Sequence, residues 1–307
     1  IAARQQVNLS RSTMSEWIGR MGFALQPLAD RLSELLRQRQ VLHADETPVK
    51  QLDPGAGKTK RAYLWSYRSN DLDEGPPIVV FDYQSSRSGQ HARDFLHGWQ
   101  GSLMVDDYGG YKKMFAADAQ FAVTELGCWA HARRKFFDLQ VSGAHPQAAE
   151  ALRRIAQLYA VEAMARDMDH TARGEHRRQN SLPILADMHD WLIRLRIKTA
   201  DGSGLARAID YSLHRWPSLI RYAQTGNLPI DNNPVENSIR PIALGKKNWL
   251  FAGSERAGKR AAAIQSLFAT AKLNGIEPSA WLKDTLEKLP VWTMRRIDEL
   301  LPIKPMA

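Results

Sequence analysis

The strand signals of this chain crowd between Val41 and Trp129, and their spacing restricts the sheet they can build. VLHADETPV, at 41–49, is followed by the turn-rich QLDPGAGKTKR and then by AYLWSYRS at 62–69. The polar turn NDLDEGP leads to PIVVFDYQ at 77–84. Connections this short join antiparallel neighbours. The rhythm then changes. SGQHARDFLHGW reads as a helix, with Ala92, Phe95, Leu96 and Trp99 on one face, and GSLMVDDY at 101–108 as a strand. GYKKMFA reads as a short helix, FAVTELGCW at 121–129 as a fifth strand, and AHARRKFFDLQ as the start of another helix. Three hairpin-linked strands followed by alternating helix and strand predict an α/β fold, a mixed five-stranded sheet flanked by helices.

Helices are expected on either side of this block. LSRSTMSEWIGR at 9–20 reads as a short helix opened by Ser10 or Ser12, and 24–40 carries Leu25, Leu28, Leu32, Leu35 and Leu36 at helical spacing. From 146 to about 225 no strand signal appears. The segment is helical and charged, with TARGEHRRQ read as a solvated helix end or loop and ADGSG as a linker. DNNPVENSIR at 231–240 predicts a helix start, with Asn233 as cap, Pro234 in the first position and Glu236 where a capping-box acid falls. The Gly- and Lys-rich PIALGKKNWLFAGSERAGKR is expected to form a turn or hairpin, before helices in AAAIQSLFATAKLNG and PSAWLKDTLEKL. GAGKT in the first hairpin lacks the spacing of a phosphate-binding loop.

With 307 residues, 44% of them hydrophobic, the chain can bury one large core or two smaller ones. Lys and Arg number 42 against 33 Asp and Glu, a formal charge of +9 that favours polyanionic partners, nucleic acid first. The single cysteine, Cys128, excludes an internal disulfide framework and a four-Cys zinc site, and makes a reducing cytoplasm the default. No apolar run is long enough to span a membrane. Ile1-Ala2-Ala3-Arg4 is not a signal peptide and lacks an initiator Met, so the chain is expected to be a fragment or a processed piece.

Asp45 is expected to close the first strand and Asp106 the fourth, positions that strand order can bring side by side. Glu236, on a helix packed across those ends, would complete a carboxylate cluster. Three clustered carboxylates repel one another unless cations neutralise them, and hard oxygen ligands select Mg²⁺ or Mn²⁺. Two such ions about 3.5–4 Å apart can clamp a phosphodiester. The plainer reading makes Asp45 and Asp106 turn residues and Glu236 a cap. Adjacent strand residues point to opposite faces, so periodicity leaves open the choices between Asp106 and Asp107 and between Asp45 and Glu46.

Four blocks, HADETPVK, LMVDDYGGYKKMF, GCWAHARRKFF and DNNPVENSIRPIALGKKNWLFAGSERAG, resemble in that order the signature blocks of the bacterial insertion-sequence sixty-six family of transposases. The resemblance runs from about residue 5 to residue 301. It implies an RNase H-like core with a D-D-E triad, and a helical insertion before the last acid. It divides the chain into 1–40, the tail of a helix-turn-helix region; 41–145, the first part of the core; 146–226, the insertion; and 227–307, the rest of the core and C-terminal helices. It puts the catalytic and metal-binding acids at Asp45, Asp106 and Glu236, with Gly frequent in the family where this chain has Asp107. VNLSRSTMSEWI looks like the end of the helix-turn-helix region, whose earlier part is absent here.

The implied function is metal-dependent cleavage at transposon ends, followed by strand transfer of a 3′-OH into target DNA, with two Mg²⁺ ions for which Mn²⁺ can substitute. Partners would be both DNAs, a second or further copies on DNA, and accessory proteins, in the bacterial cytoplasm at the nucleoid. The rivals are an RNase H-like nuclease without strand transfer and a non-catalytic DNA-binding protein. DNA-contact candidates are His131, Arg134 and Lys135 on the helix after the fifth strand, and Arg240 one turn beyond Glu236. Lys246 and Lys247 beside Trp249 suit a strand or an unstacked base, and Arg256, Lys259 and Arg260 form a further basic group. Cys128 and His131 have C-x-x-H spacing, but no second Cys completes a zinc site.

Overall fold

The computed structural model describes residues 9–116, 122–143 and 145–304. The first residues of the expected N-terminal segment, Phe121 of the fifth strand signal and the last three residues lie outside them. The sheet has five strands: β1 (Val41–Asp53), β2 (Lys58–Ser69), β3 (Val79–Gln84), β4 (Gly101–Val105) and β5 (Val123–Gly127). Their spatial order is β3-β2-β1-β4-β5. The β1/β2 and β2/β3 pairs are antiparallel, and β1/β4 and β4/β5 are parallel. This is the mixed, helix-flanked sheet expected from the strand spacing, consistent with an RNase H-like fold.

The first hairpin is longer than its sequence suggested. β1 pairs with β2 from Leu42 opposite Ser69 to Asp53 opposite Lys58, so Asp45 lies inside a strand and does not close one. β4 pairs with β1 only from Val41 to His43. Beyond His43 that side of β1 is free of β4, and Asp45 sits two residues past the last pairing.

Helices α1 (Arg11–Ala24) and α2 (Gln26–Leu36) precede the sheet, and α3 (Gly89–Phe95) joins β3 to β4. Buried Leu25, Leu28, Leu32 and Leu36 meet Leu42, Ala44, Trp65, Tyr67 and Leu103 in the largest apolar cluster. The expected GYKKMFA helix is a single 3-10 turn, Lys112–Met114. After β5 come α4 (Trp129–Ser142), α5 (Pro146–Met164), α6 (His170–Ile197), α7 (Gly204–His214) and α8 (Trp216–Leu219). They share a second cluster that includes Trp129, Phe136, Ile155, Met188, Ile209 and Trp216.

TARGEHRRQ, read as a solvated helix end or loop, is a helix end that is solvated on one face only. It is the first part of α6, and Arg173 and Arg177 are buried there. Arg177 pairs with Glu162 at 2.5 Å and donates to the carbonyls of Tyr222, Thr225 and Leu228. Arg173 donates to those of Gly226 and Met168. Two guanidiniums thus satisfy the carbonyls of an irregular segment that would otherwise be buried unpaired. Gly226 crosses α6 so closely that a Cβ there would lie 1.7 Å from the His170 carbonyl oxygen. Composition marked this stretch as polar; only the tertiary partners make its arginines internal.

The last helices are α9 (Asn233–Trp249), α10 (Glu255–Leu273) and α11 (Pro278–Lys288). The turn expected in PIALGKKNWLFAGSERAGKR comes only at Leu250, because α9 first continues to Trp249. α9 runs through Pro241 and Gly245 because Val235, Ile239 and Ile242, spaced for one helical face, are buried, the latter two against Val49, Leu64 and Phe81. The chain then bridges back to β1: Ala252 N–H donates to the Lys50 carbonyl and Leu52 N–H to that of Ala252, each at 2.8 Å. α10 covers edge strand β3, where Ser266 Oγ accepts from Phe81 N–H and Thr270 Oγ1 from Val79 N–H.

Candidate active site

The strand that carries Asp45 also carries Glu46, and their surroundings divide the two roles. Glu46 is buried. Arg87 donates to its Oε1 through Nε at 2.7 Å, and Tyr111 OH to its Oε2 at 3.0 Å. Arg87 in turn stacks over the Tyr108 ring at 3.8 Å. Burial raises the Glu46 pKa and Arg87 opposes the rise. Asp45 faces away from this cation, its Oδ1 accepting only the Glu46 N–H at 2.8 Å. Its pKa is pushed up to about 8, by burial first, then by the charge of Glu46, and further by those of Asp106 and Glu236. Asp45, on β1, thus feels the negative charge of Asp106 from the end of β4 and of Glu236 from α9.

Asp106 and Asp107 divide in the same manner. Asp106 Oδ1 accepts the Tyr108 N–H at 2.9 Å, a local turn that leaves Oδ2 unengaged. Asp107 is turned to Arg215 Nη1 at 3.4 Å and Lys112 Nζ at 3.7 Å, and the buried Arg215 also pairs with Glu125. One carboxylate of each adjacent pair is neutralised by a cation, and the other is left towards the cluster.

Asn232, not Asn233, occupies the cap position of α9, and it makes no side-chain cap bond. Glu236 therefore falls one residue past a capping-box acid. Asn232 is fully buried and ties three elements together. Its Nδ2 donates to the Ala44 carbonyl at 2.9 Å, Oδ1 accepts from His43 Nδ1–H at 3.0 Å, and its N–H donates to Cys128 Sγ at 3.2 Å. Burial lowers the His43 pKa to about 4, so the ring is neutral, and the bond to Oδ1 fixes the proton on Nδ1. Asp231 accepts from Tyr159 OH of α5 at 2.7 Å and from Asn233 N–H at 3.0 Å. The start of α9 is thus fastened to β1 beside Asp45, to the β5–α4 junction and to α5.

Glu236 Oε1 has no hydrogen-bond partner and is shielded from solvent, as is Nδ1 of His131; the two atoms are 3.7 Å apart. Glu236 is turned to His131, and the i,i+4 pair with Arg240 open to it in sequence does not form. The donor set of Asp45, Asp106 and Glu236 fits hard divalent cations: three carboxylates without a paired Lys or Arg among the described residues, one bearing a buried unpartnered oxygen and one with its ionised form disfavoured by burial and by its neighbours. Cys128 is buried, and burial pushes its thiol up to about 12.

The family model described as Transposase IS66 family matches residues 1–260, and that of the IS66 C-terminal element matches residues 266–303. The chain belongs to the IS66 transposase family. Among relatives from Sinorhizobium fredii (strain NBRC 101917 / NGR234), the uncharacterized protein y4qI is 37% identical over 100% of this chain and 59% of its own length. Proteins y4hP and y4jD, also described as uncharacterized, are 33% and 34% identical over 96% and 98% of the chain. The chain spans about three-fifths of the length of these curated relatives.

The basic candidates of this IS66 family chain do not form one patch. Arg134 is exposed on α4, and Lys135 sits over the Tyr211 ring at 5.3 Å. Arg240 and Lys247 are exposed along α9, and Lys246 donates to the Pro48 carbonyl at 3.1 Å. Trp249 is 44% exposed, with Leu250 and Phe251 also exposed beside it. Leu250 has φ 62, and Phe251 N–H closes a tight turn onto the Trp249 carbonyl at 2.7 Å. Arg256 and Arg260 line a cavity of about 610 Å³ with Ser12, Glu16 and Arg20, Arg260 packing against Gly19 and Gly22 of α1, while Lys259 pairs with Glu255 at 2.8 Å. Sequence reasoning weighed Glu46 only as an alternative to Asp45, and missed Arg87, Asn232 and Arg215 as parts of the site. Asn232 lies in the Asp231-Asn232-Asn233 stretch, where nothing local distinguishes its role from that of Asn233. Among the described residues, no helix is long and apolar enough to cross a membrane.

Proposed function

We propose that this chain is the catalytic core of a transposase that cleaves phosphodiester bonds at transposon ends and joins the freed 3′-OH to target DNA. The observation that carries the reading is that the start of α9 is bonded to Ala44, next to Asp45, so that Asp45 feels the charges of Asp106 and Glu236, with the competing acids Glu46 and Asp107 each facing a cation. Asp45, Asp106 and Glu236 would hold two Mg²⁺ ions, or Mn²⁺ in their place. When bound, such ions activate the attacking oxygen and neutralise charge on the leaving oxygen. The protein's own residues set the geometry. The Arg87–Glu46–Tyr111 group fixes the strand beside Asp45, the Tyr108 N–H orients Asp106, and Asn232 holds the start of α9 against Ala44.

Arg134, Lys135 and Arg240 would contact phosphates near the cleaved bond, with His131 at the edge of the cluster. Lys246 and Lys247 would follow the backbone along α9 while Trp249 offers a stacking surface. Arg256, Lys259 and Arg260 would extend the phosphate contacts towards α1. Engagement of two DNA ends calls for at least a dimer on DNA, with accessory proteins able to join it.

The test is incubation of labelled linear duplexes carrying transposon ends with the chain and Mg²⁺ or Mn²⁺, scoring nicks and joined products separately. Both products are expected. Nicks without joining would replace this reading with that of a nuclease, and binding without nicks would leave a DNA-binding protein.

A further inference from the structure

The C-x-x-H pair of Cys128 and His131 gains a third member from α9, more than a hundred residues away. One donor atom each from Cys128, His131 and Glu236 lies within 4.8 Å of the other two. Two of these atoms, His131 Nδ1 and Glu236 Oε1, are shielded from solvent and have no hydrogen-bond partner. At 3.7 Å they are too far apart to bond to each other. Buried polar atoms left without partners call for an explanation. The sulfur also accepts a backbone N–H, that of Asn232, the type of contact that orients a metal-bound thiolate.

We propose that Cys128, His131 and Glu236 form a binding site for a borderline-soft divalent cation, Zn²⁺ by its ligand chemistry, which draws Glu236 away from Asp45 and Asp106. Zn²⁺ takes sulfur at about 2.3 Å and nitrogen or oxygen at about 2.0–2.2 Å, so donors around one ion stand roughly 3.3–3.6 Å apart. The observed separations need side-chain adjustments of about 1 Å or less to reach this. Binding releases the Cys128 proton to solvent and forms a sulfur–metal bond, with no change of oxidation state. A thiolate and an imidazole select against Mg²⁺, whereas the oxygen donors of Asp45 and Asp106 favour it. Only the consequence for catalysis rests on Glu236 being the third acid; the binding of metal does not.

Co²⁺ is the probe. Cys128 is the chain's one cysteine, so a sulfur-to-cobalt charge-transfer band in the near ultraviolet has a single origin. Titration of the whole chain is expected to produce this band at one cobalt per chain, and Zn²⁺ to displace it. Cys128→Ser abolishes the band. Because a buried position can perturb folding, the half-exposed His131→Asn and Glu236→Gln are measured alongside, and each weakens cobalt binding at least about tenfold. No band from the folded chain, or one indifferent to His131→Asn and Glu236→Gln, overturns the proposal. In the cleavage assay, Zn²⁺ is expected to slow the Mg²⁺-dependent reaction at least about tenfold, and Cys128→Ser to lose that sensitivity. A cobalt band without cleavage under any metal counts against the transposase reading and leaves the metal site standing.

Discussion

Two pairs of adjacent acids show how surroundings, rather than residue type, assign roles. Among the described residues, Asp45 and Asp106 lack cationic partners, while Glu46 and Asp107 have them. Asp45→Asn, Asp106→Ala and Glu236→Gln are each expected to lower metal-dependent cleavage by more than about a hundredfold, since changes merely supporting a metal ligand already cost 10–100-fold. Asp107→Ala should retain most activity; equal loss at 107 would exchange the roles assigned to the two aspartates. The raised pKa of Asp45, about 8, adds a metal-free prediction. The folded state binds this proton more tightly than the unfolded chain does, so its contribution to stability is complete below the ordinary carboxyl range and is lost as pH rises towards 8. In chelator, thermal stability should carry a component that falls from about pH 4 to 8 and is missing in Asp45→Asn. Mg²⁺ should offset that component at the upper end, and an unchanged wild-type profile would contradict the crowding of these carboxylates.

At the scale of elements, α9 is a rod whose start is clamped. Asn232 joins it to β1 and to Cys128, and Asp231 joins it to α5 through Tyr159. Asn232→Ala leaves the Ala44 carbonyl and the His43 N–H unpaired and buried, and is expected to cost about 1–3 kcal/mol in chemical denaturation. Its effect on cleavage should exceed that of Asn233→Ala, whose side chain bonds only Asp231. The segment leading into α9 is held by Arg177. Arg177→Met would strand Glu162 and the carbonyls the guanidinium now serves, a loss of about 3–5 kcal/mol measurable by urea unfolding. The helices of residues 146–226 thereby hold the approach to the third acid in place as well as filling their own core.

Across the whole molecule, a net formal charge of +9, with basic side chains on α4, α9 and α10 among its sources, leads to the expectation of DNA binding driven by counterion release. With about five phosphates engaged, log affinity should fall against log salt with a slope near −4.5, and Lys247→Ala should reduce that slope by about 1. A slope near zero would remove these side chains from the DNA interface.

The order of the strands and the mixed sheet were legible in the sequence, because strand spacing and turn residues are local properties, whereas the choice of acids came only from the family resemblance. The helix through Pro241 was not, since its breakers are local while the sheet that Ile239 and Ile242 bury against is assembled from distant residues. Nor was the burial of Arg173 and Arg177, whose partners lie between 162 and 228 and exist only after folding. The sequence by itself determined which carboxylates were available. The tertiary structure decided which of each adjacent pair was left without a counter-charge, because a guanidinium brought from a distant segment is what separates one acid from its neighbour.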